Sequence, residues 1–317
     1  MKKKELISYI KGGLCPEYVP CGFWQHFPDD AKYGQASVDV HVKYYHETQV
    51  PITKMMNEHF YQLDNKIVSP KDWLDVKAKN LEESNYADFL DEIRMFRERM
   101  GEDAFILATI HGVLVSACHA TNGPNHFTDR DNIITCHLKE DPDTVVNGLQ
   151  AIAATLERLS FACMEAGADG IYYAALGGEE HRFSKELFTQ YVKPLETRLL
   201  GNVMEKGIVF LHICKDNPRL PMYADYPSHV VNWAVHDSSY SLADGKKLFP
   251  DKIILGGFDN RSGVLLDGSE EEIIDQMNRI VEEVGRDRLI FGADCTLPGT
   301  ATSARIHMAV EASKKIK

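Results

Sequence analysis

A chain of 317 residues that is 44% hydrophobic and 26% charged is globular in composition, neither disordered nor collagen-like, and long enough to bury a large core. Its 35 basic and 47 acidic residues leave a net charge of −12, a field that repels phosphate backbones and anionic bilayers and argues against nucleic acid or a membrane as partner. No apolar run approaches the length of a bilayer span, so a soluble, cytoplasmic protein is expected.

The chain opens with MKKKELISYIKGG, too short and too polar for a secretory segment; it predicts a short helix stopped by Gly12 and Gly13. VPCGFWQHF (19–27) predicts a first strand, followed by a helix over about 37–60 and a weaker strand at QLDNKIVS (62–69). The acidic run 80–101 predicts a further helix. From residue 100 onward short apolar runs alternate with longer amphipathic ones. The runs AFILATIHG (104–112), DGIYYAALGG (169–178), IVFLHICK (208–215), VNWAVHDSS (231–239), KIILGGFD (252–259) and RLIFGADC (288–295) read as buried strands. Segments 141–167, 184–207, 269–285 and 300–316 read as helices, with Asp141 or Asp143, Ser184 and Ser269 as N-caps and Gly167, Gly207 and Gly285 as stops. The polar, Gly/Asn/Pro-containing stretch 116–138, with Cys118, Cys136 and His137, reads as an active-site loop or lid with a weak claim to a second metal.

Apolar strands alternating with capped helices imply parallel strands joined by right-handed crossovers. Eight such units, with no G-x-G-x-x-G after the first strand, predict an α/β fold, a single (βα)8 TIM barrel over 1–317 with a short N-terminal helical extension. The strands end in His26, His111, Gly177-Gly178-Glu179, His212 with Cys214, His236-Asp237, Asp259 and Asp294-Cys295. In such a barrel these ends converge on one face, where the chemistry sits. Glu179, His236, Asp237 and Asp259 are therefore catalytic candidates, with Glu179 also offered as a fourth, displaceable metal ligand or a substrate contact. His26 and His111 are substrate-binding candidates; each of these residues taken singly also fits a merely positional role.

The seven cysteines, Cys15, Cys21, Cys118, Cys136, Cys163, Cys214 and Cys295, are odd in number and lack a disulfide-scaffold spacing, so they read as reduced thiols, Cys163 as core. His212 and Cys214, two apart on one strand, project to the same side. With Cys295 from the eighth strand they offer the nitrogen and thiolate donors that Zn2+ takes, and three ligands leave one position open, the catalytic pattern. Against this stands the ordinary buried cysteine, a small inert hydrophobe.

GADGIYYAALGGE (167–179), VFLHIC (209–214), IILGGFDNRSGVL (253–265) and LIFGADCTLPGT (289–300) resemble, in order and spacing, the uroporphyrinogen decarboxylase superfamily. True decarboxylases of that family carry an RQAGR motif after the first strand, which grips the acidic side chains of the porphyrinogen; here Gly22 to Phe27 contain no arginine. The H-x-C followed much later by a cysteine is similar instead to the methylcobamide:thiol methyltransferase branch, and His212, Cys214 and Cys295 match its zinc motif residue by residue. The resemblance implies zinc holding a substrate thiol as thiolate, attack on the methyl group of a corrinoid (cobalamin) cobalt, and release of cob(I)alamin and a thioether. It also implies a separate corrinoid protein as partner. The opposite half-reaction, from a small methyl donor to cob(I)alamin, and a metal-free decarboxylation are the alternatives; a non-enzymatic corrinoid or tetrapyrrole carrier is a further one.

Overall fold

A computed structural model describes residues 1–12, 16–63, 65–122 and 133–316. Its strands are β1 (Cys21–Gly22), β2 (Ile52–Met55), β3 (Phe105–His111), β4 (Gly170–Ala175), β5 (Ile208–Ile213), β6 (Val230–Trp233), β7 (Ile253–Phe258) and β8 (Leu289–Ala293). Its helices are α1 (Lys3–Ile10), α2 (Gly34–Thr48), α3 (Tyr86–Met100), α4 (Val113–Asn122), α5 (Ile133–Glu140), α6 (Pro142–Glu165), α7 (Lys185–Leu187), α8 (Lys193–Met204), α9 (Leu242–Leu248), α10 (Val264–Asp267), α11 (Glu270–Val284) and α12 (Ser303–Ser313). The strands form one all-parallel sheet in the order β1-β8-β7-β6-β5-β4-β3-β2, the expected (βα)8 barrel, closed except for the ladder between β1 and β2.

The period of two sorts side chains as anticipated. On β5, Ile208 and Phe210 pack inside the barrel, whereas Val209, Leu211 and Ile213 pack outward under the helices. On β4, Tyr172 faces in, and Ile171, Tyr173 and Ala175 face out. The same alternation brings His212 inward at the top of β5.

α1 closes the other end. Leu6, Tyr9 and Ile10 pack among Phe105, Ile208, Val230 and Ile253, all at strand starts. Each buried side chain contributes about 2 kcal/mol. The Tyr9 hydroxyl donates to Leu289 O (2.9 Å) and accepts from Leu289 N (2.8 Å), and Lys3 pairs with Asp169 at 2.6 Å. The N-terminal face of the barrel is thereby covered, and the C-terminal face is left for chemistry.

The N-terminal third departs from the expected elements. The helix predicted over 37–60 stops at Thr48, because Gln49 turns left-handed (φ 56°) and Pro51 cannot continue a helix. The second strand follows at once, over Ile52–Met55, and not at 62–69, where three apolar residues among polar ones give too little to bury. The first strand is reduced to Cys21–Gly22 plus one bridge, Gln25 to Leu297. The helix expected from 80 starts at Tyr86, and the segment 184–207 is split by a π-turn over Phe188–Val192, just before Pro194 removes a donor. The stretch taken for a loop, 116–138, is helical on both flanks, in α4 and α5; 123–132 lie outside the described residues, as does Cys15. Its second-metal candidates separate: Cys118 is buried, Cys136 is exposed, and His137 Nδ1 accepts a hydrogen bond from Trp73 Nε1 (3.1 Å). None of the six described cysteines is in a disulfide.

Glu196 on α8 is a buried carboxyl that links three elements. Its oxygens accept from Tyr173 Oη (2.9 Å), Val113 N (3.1 Å) and Tyr226 Oη (3.0 Å), and burial raises its pKa to about 7. Between pH 4.5 and 7 the unfolded chain loses this proton while the folded chain keeps it, so the group makes folding less favourable as pH rises through that window. The effect at neutral pH is on the order of 3 kcal/mol. Glu196→Gln, shaped like the protonated acid, is expected to flatten this dependence: thermal melts of the two proteins should coincide near pH 4.5 and separate toward pH 7, with the variant more stable.

Candidate active site

At the top of β5 the backbone ladder carries on one step, Cys214 N to Ala175 O at 3.0 Å, and the chain then bends through left-handed Lys215 (φ 73°) and Asn217 (φ 46°). The bend is pinned by Glu180 N to Asn217 O and Asn217 N to Asp237 O, which tie the loops after β4, β5 and β6 together. His212 and Cys214 thus keep their two-residue spacing while the loop is held aside.

One ligand atom each from His212, Cys214 and Cys295 lies within 4.8 Å of the others, and among the described residues no other group of three or more His, Cys, Asp or Glu clusters this way. Cys295 Sγ is 3.4 Å from His212 Nε2. A hydrogen bond from Cys214 holds the Cys295 thiol well below the ordinary value, and the same pairing raises Cys214. His212 is fixed by what lies behind it. Its Nδ1 is 2.6 Å from Asn232 Oδ1, which also accepts from Tyr172 Oη (3.1 Å), while Asn232 Nδ2 donates to Leu255 O and Ala293 O at 3.0 and 3.1 Å. With both donors of its amide committed to carbonyls, Asn232 can only accept from His212, so Nδ1 carries the hydrogen and Nε2 turns its lone pair toward the sulfurs. Tyr172 also stacks on the imidazole, ring centres 5.3 Å apart.

The arrangement fits a soft divalent ion. Its donors are one imidazole nitrogen already in the right tautomer and two sulfurs, within reach of a single centre. Asn232→Ala is expected to lower the affinity of the cluster for a divalent ion about 10–100-fold with His212, Cys214 and Cys295 intact; competition against a chromophoric chelator measures it.

The other predicted residues divide into two groups. His236 is tied to the residue before Cys295: its Nδ1 and its backbone N both contact Asp294 Oδ2 at 2.9 Å, and that hydrogen bond raises the His236 pKa. Asp294, marked by the sequence only as a strand end, is fully buried, with no hydrogen-bond partner for Oδ1 among the described residues. Asp237 and Asp259 are engaged elsewhere. Arg261 grips Asp237 through both oxygens (2.5 and 2.6 Å), and Asp259 accepts from Arg261 N (2.8 Å) and Ser262 Oγ (2.6 Å). Glu179 is buried and stands outside the ligand cluster. Its Oε2 accepts from Gly177 N at 2.7 Å, Gly177 is left-handed (φ 103°), and burial raises the carboxyl's pKa. Arg219 holds that turn from the β5 loop by donating to Glu179 O (2.9 Å), Phe183 O (3.0 Å) and Glu180 O (2.6 Å).

On the other side of the mouth, His26 is exposed and meets Glu58 at 3.0 Å, and His111 lies edge-on to His119 with ring centres 5.0 Å apart. Burial, with the charges of His119, Lys54 and His26, lowers the His111 pKa to about 3, so it stays neutral. Lys54, Glu58, His119, Tyr172 and Asn232 escape a reading by strand ends. Asn232 and Tyr172 sit within strands, and Lys54 belongs to a strand that the pattern misplaces.

No curated protein matches the chain. Among solved structures, a methyltransferase from Methanosarcina mazei superimposes with a TM-score of 0.76 at 16% identity, over 99% of this chain and 98% of that one. A B12-independent methionine synthase from Shewanella sp. W3-18-1 gives 0.60 at 11% identity over 94% and 97% of the two chains. A putative vitamin-B12 independent methionine synthase from Listeria monocytogenes gives 0.59 at 13% over 88% and 85%. At these identities the likenesses establish the fold. By sequence, the family model for uroporphyrinogen decarboxylase (URO-D) matches residues 55–316, a span that holds the whole His212–Cys214–Cys295 cluster, and the chain belongs to that family.

Proposed function

We propose that this protein is a zinc-dependent methyltransferase that moves a methyl group between a corrinoid, presented by a partner protein, and a small thiol acceptor. The observation that carries the reading is the convergence of His212, Cys214 and Cys295 on one point at the C-terminal end of the barrel. The likeness of fold to a methyltransferase supports it. So does the β1 end, where a decarboxylase of this family would place arginines and this chain has buried Phe23 and Trp24 beside the exposed His26.

When bound, zinc would deprotonate the acceptor thiol at neutral pH and hold its sulfur in place. The chain's own residues do the rest. His212, Cys214 and Cys295 would hold the metal, and the two thiolates would make the site electron-rich, which favours a nucleophilic sulfur over Lewis-acid hydrolysis. Asn232 and Tyr172 orient the imidazole. His236, held by Asp294, presents a partly exposed ring and is suited to carry a proton to solvent. Glu179, buried on its own turn, is proposed as a support of the β4 loop and a reserve carboxylate for the open ligand position.

Thiol-dependent demethylation of methylcobalamin tests the reading, followed by the change in corrinoid absorbance on adding 2-mercaptoethanol. The expected result is a rate proportional to enzyme that vanishes after metal removal and returns with zinc. A zinc-loaded protein that leaves methylcobalamin unchanged with a series of simple thiols would refute thiol methylation.

A further inference from the structure

Lys54 has no place in the site as described so far. It lies on β2, two residues after Ile52, and the strand period carries both side chains into the barrel. Lys54 is 5% exposed, yet among the described residues it forms no ion pair with a carboxylate. Its ammonium sits 4.4 Å from the ring centre of Tyr172 and 4.9 Å from that of Trp24. Two aromatic faces return part of the desolvation cost, but a buried ammonium still requires a negative charge. Glu58, the carboxylate whose charge reaches it, is already held by His26.

The other groups that act electrostatically on Lys54 are the two cysteines of the cluster. Burial lowers its pKa to about 7, and the groups that oppose this are Cys295 first, then Glu58 and Cys214. The connection is also structural, because the Tyr172 ring that receives the ammonium stacks on His212 and donates to Asn232. A divalent ion with two cysteine thiolates and a neutral imidazole is a neutral site. A third thiolate, from substrate, gives it one net negative charge in a surrounding of low dielectric, and the charge then lacks a partner.

We propose that Lys54 is the counter-charge for the substrate thiolate, a positioning residue that makes binding of an anionic sulfur favourable where binding of a neutral ligand would not need it. This rests on the zinc–thiol reading above. In the binding step the thiol's proton leaves to solvent, a metal–sulfur contact forms, and nothing is oxidised or reduced.

The test uses the full chain loaded with Co2+ in place of zinc, whose sulfur-to-metal absorption reports bound thiolate. 2-Mercaptoethanol is titrated into wild type, Lys54→Met and Lys54→Arg at neutral pH, with imidazole as a neutral ligand in parallel. Lys54→Met is expected to hold cobalt, to bind imidazole as wild type does and to bind the thiol about tenfold or more weakly; Lys54→Arg should restore much of the loss. Equal thiol affinity in Lys54→Met and wild type overturns the proposal, as does a parallel loss for thiol and imidazole. If Lys54→Met fails to hold cobalt, the arginine variant decides: normal metal and thiol binding supports the counter-charge, and failure of both variants assigns Lys54 a structural role. Wild-type protein that takes up no metal overturns the zinc reading itself, a result distinct from all of these.

Discussion

Cys295→Ser is expected to leave the protein folded and its metal site empty, with thiol-dependent demethylation at background. Cys295 is partly exposed and contacts His212 through sulfur, so the exchange of one atom disturbs little packing. What it removes is the thiolate donor. A serine hydroxyl is not ionised at neutral pH, and His212 with Cys214 leaves two donors where three are needed. Loss of a group that merely orients a ligand costs about 10–100-fold in affinity; loss of the ligand should cost more. Cys214→Ser should behave alike, as the other sulfur of the pair. Cys163→Ser supplies the contrast. Cys163 is fully buried on α6, its thiol pushed up by burial, and its replacement should lower stability and leave zinc in place. Zinc content beside circular dichroism separates the two behaviours.

The largest expected effect on stability is that of Gly170→Ala. Gly170 pairs with Ile208 across the β4–β5 ladder, and a methyl group there would come within 2.2 Å of Ile208 O and 2.9 Å of its carbonyl carbon and Cβ. The obstacle is backbone, which cannot yield as a side-chain tip would. Either the strands separate at that point or β4 slides, and each disturbs the register that sets Ala174 beside His212. Overpacking of this kind costs about 3 kcal/mol or more, which for a chain of this length lowers the melting temperature by roughly 4–5 °C or more. Differential scanning calorimetry measures it; an unchanged melting temperature would show that β4 and β5 do not meet as described.

The parts of the fold and site that the chain's local chemistry dictates were legible. The six apolar runs after residue 100 became β3 to β8, and Ser269 caps α11 through Glu272 N as its residue type foretells. His212 and Cys214 share a strand end, so their common direction followed from the period of two. The N-terminal strands were not legible for equally physical reasons. β2 reads Ile-Thr-Lys-Met, and a lysine at its inward position breaks the apolar pattern by which buried strands are found. That lysine is tolerated by rings from β4 and from just beyond β1, a contact that only closure of the barrel creates. Arg261 lies far from Asp237 in sequence and claims it across two loops, and Arg219 reaches back to the turn of Glu179. Long basic side chains bridging loops leave no periodic mark, so carboxylates that looked free at strand ends proved to be held. Asn232 was hidden by its place inside Val-Val-Asn-Trp, where a polar residue facing into the barrel was the sole clue to a partner across it.

Zinc K-edge X-ray absorption on protein purified without added metal tests the central claim most directly. The account predicts about one zinc per chain with two sulfur neighbours at about 2.3 Å and nitrogen at about 2.0–2.1 Å, the sulfur contribution falling by half in any Cys214→Ser or Cys295→Ser protein that retains metal. Zinc surrounded by nitrogen and oxygen alone, or a stable chain that takes up no zinc at all, would contradict it.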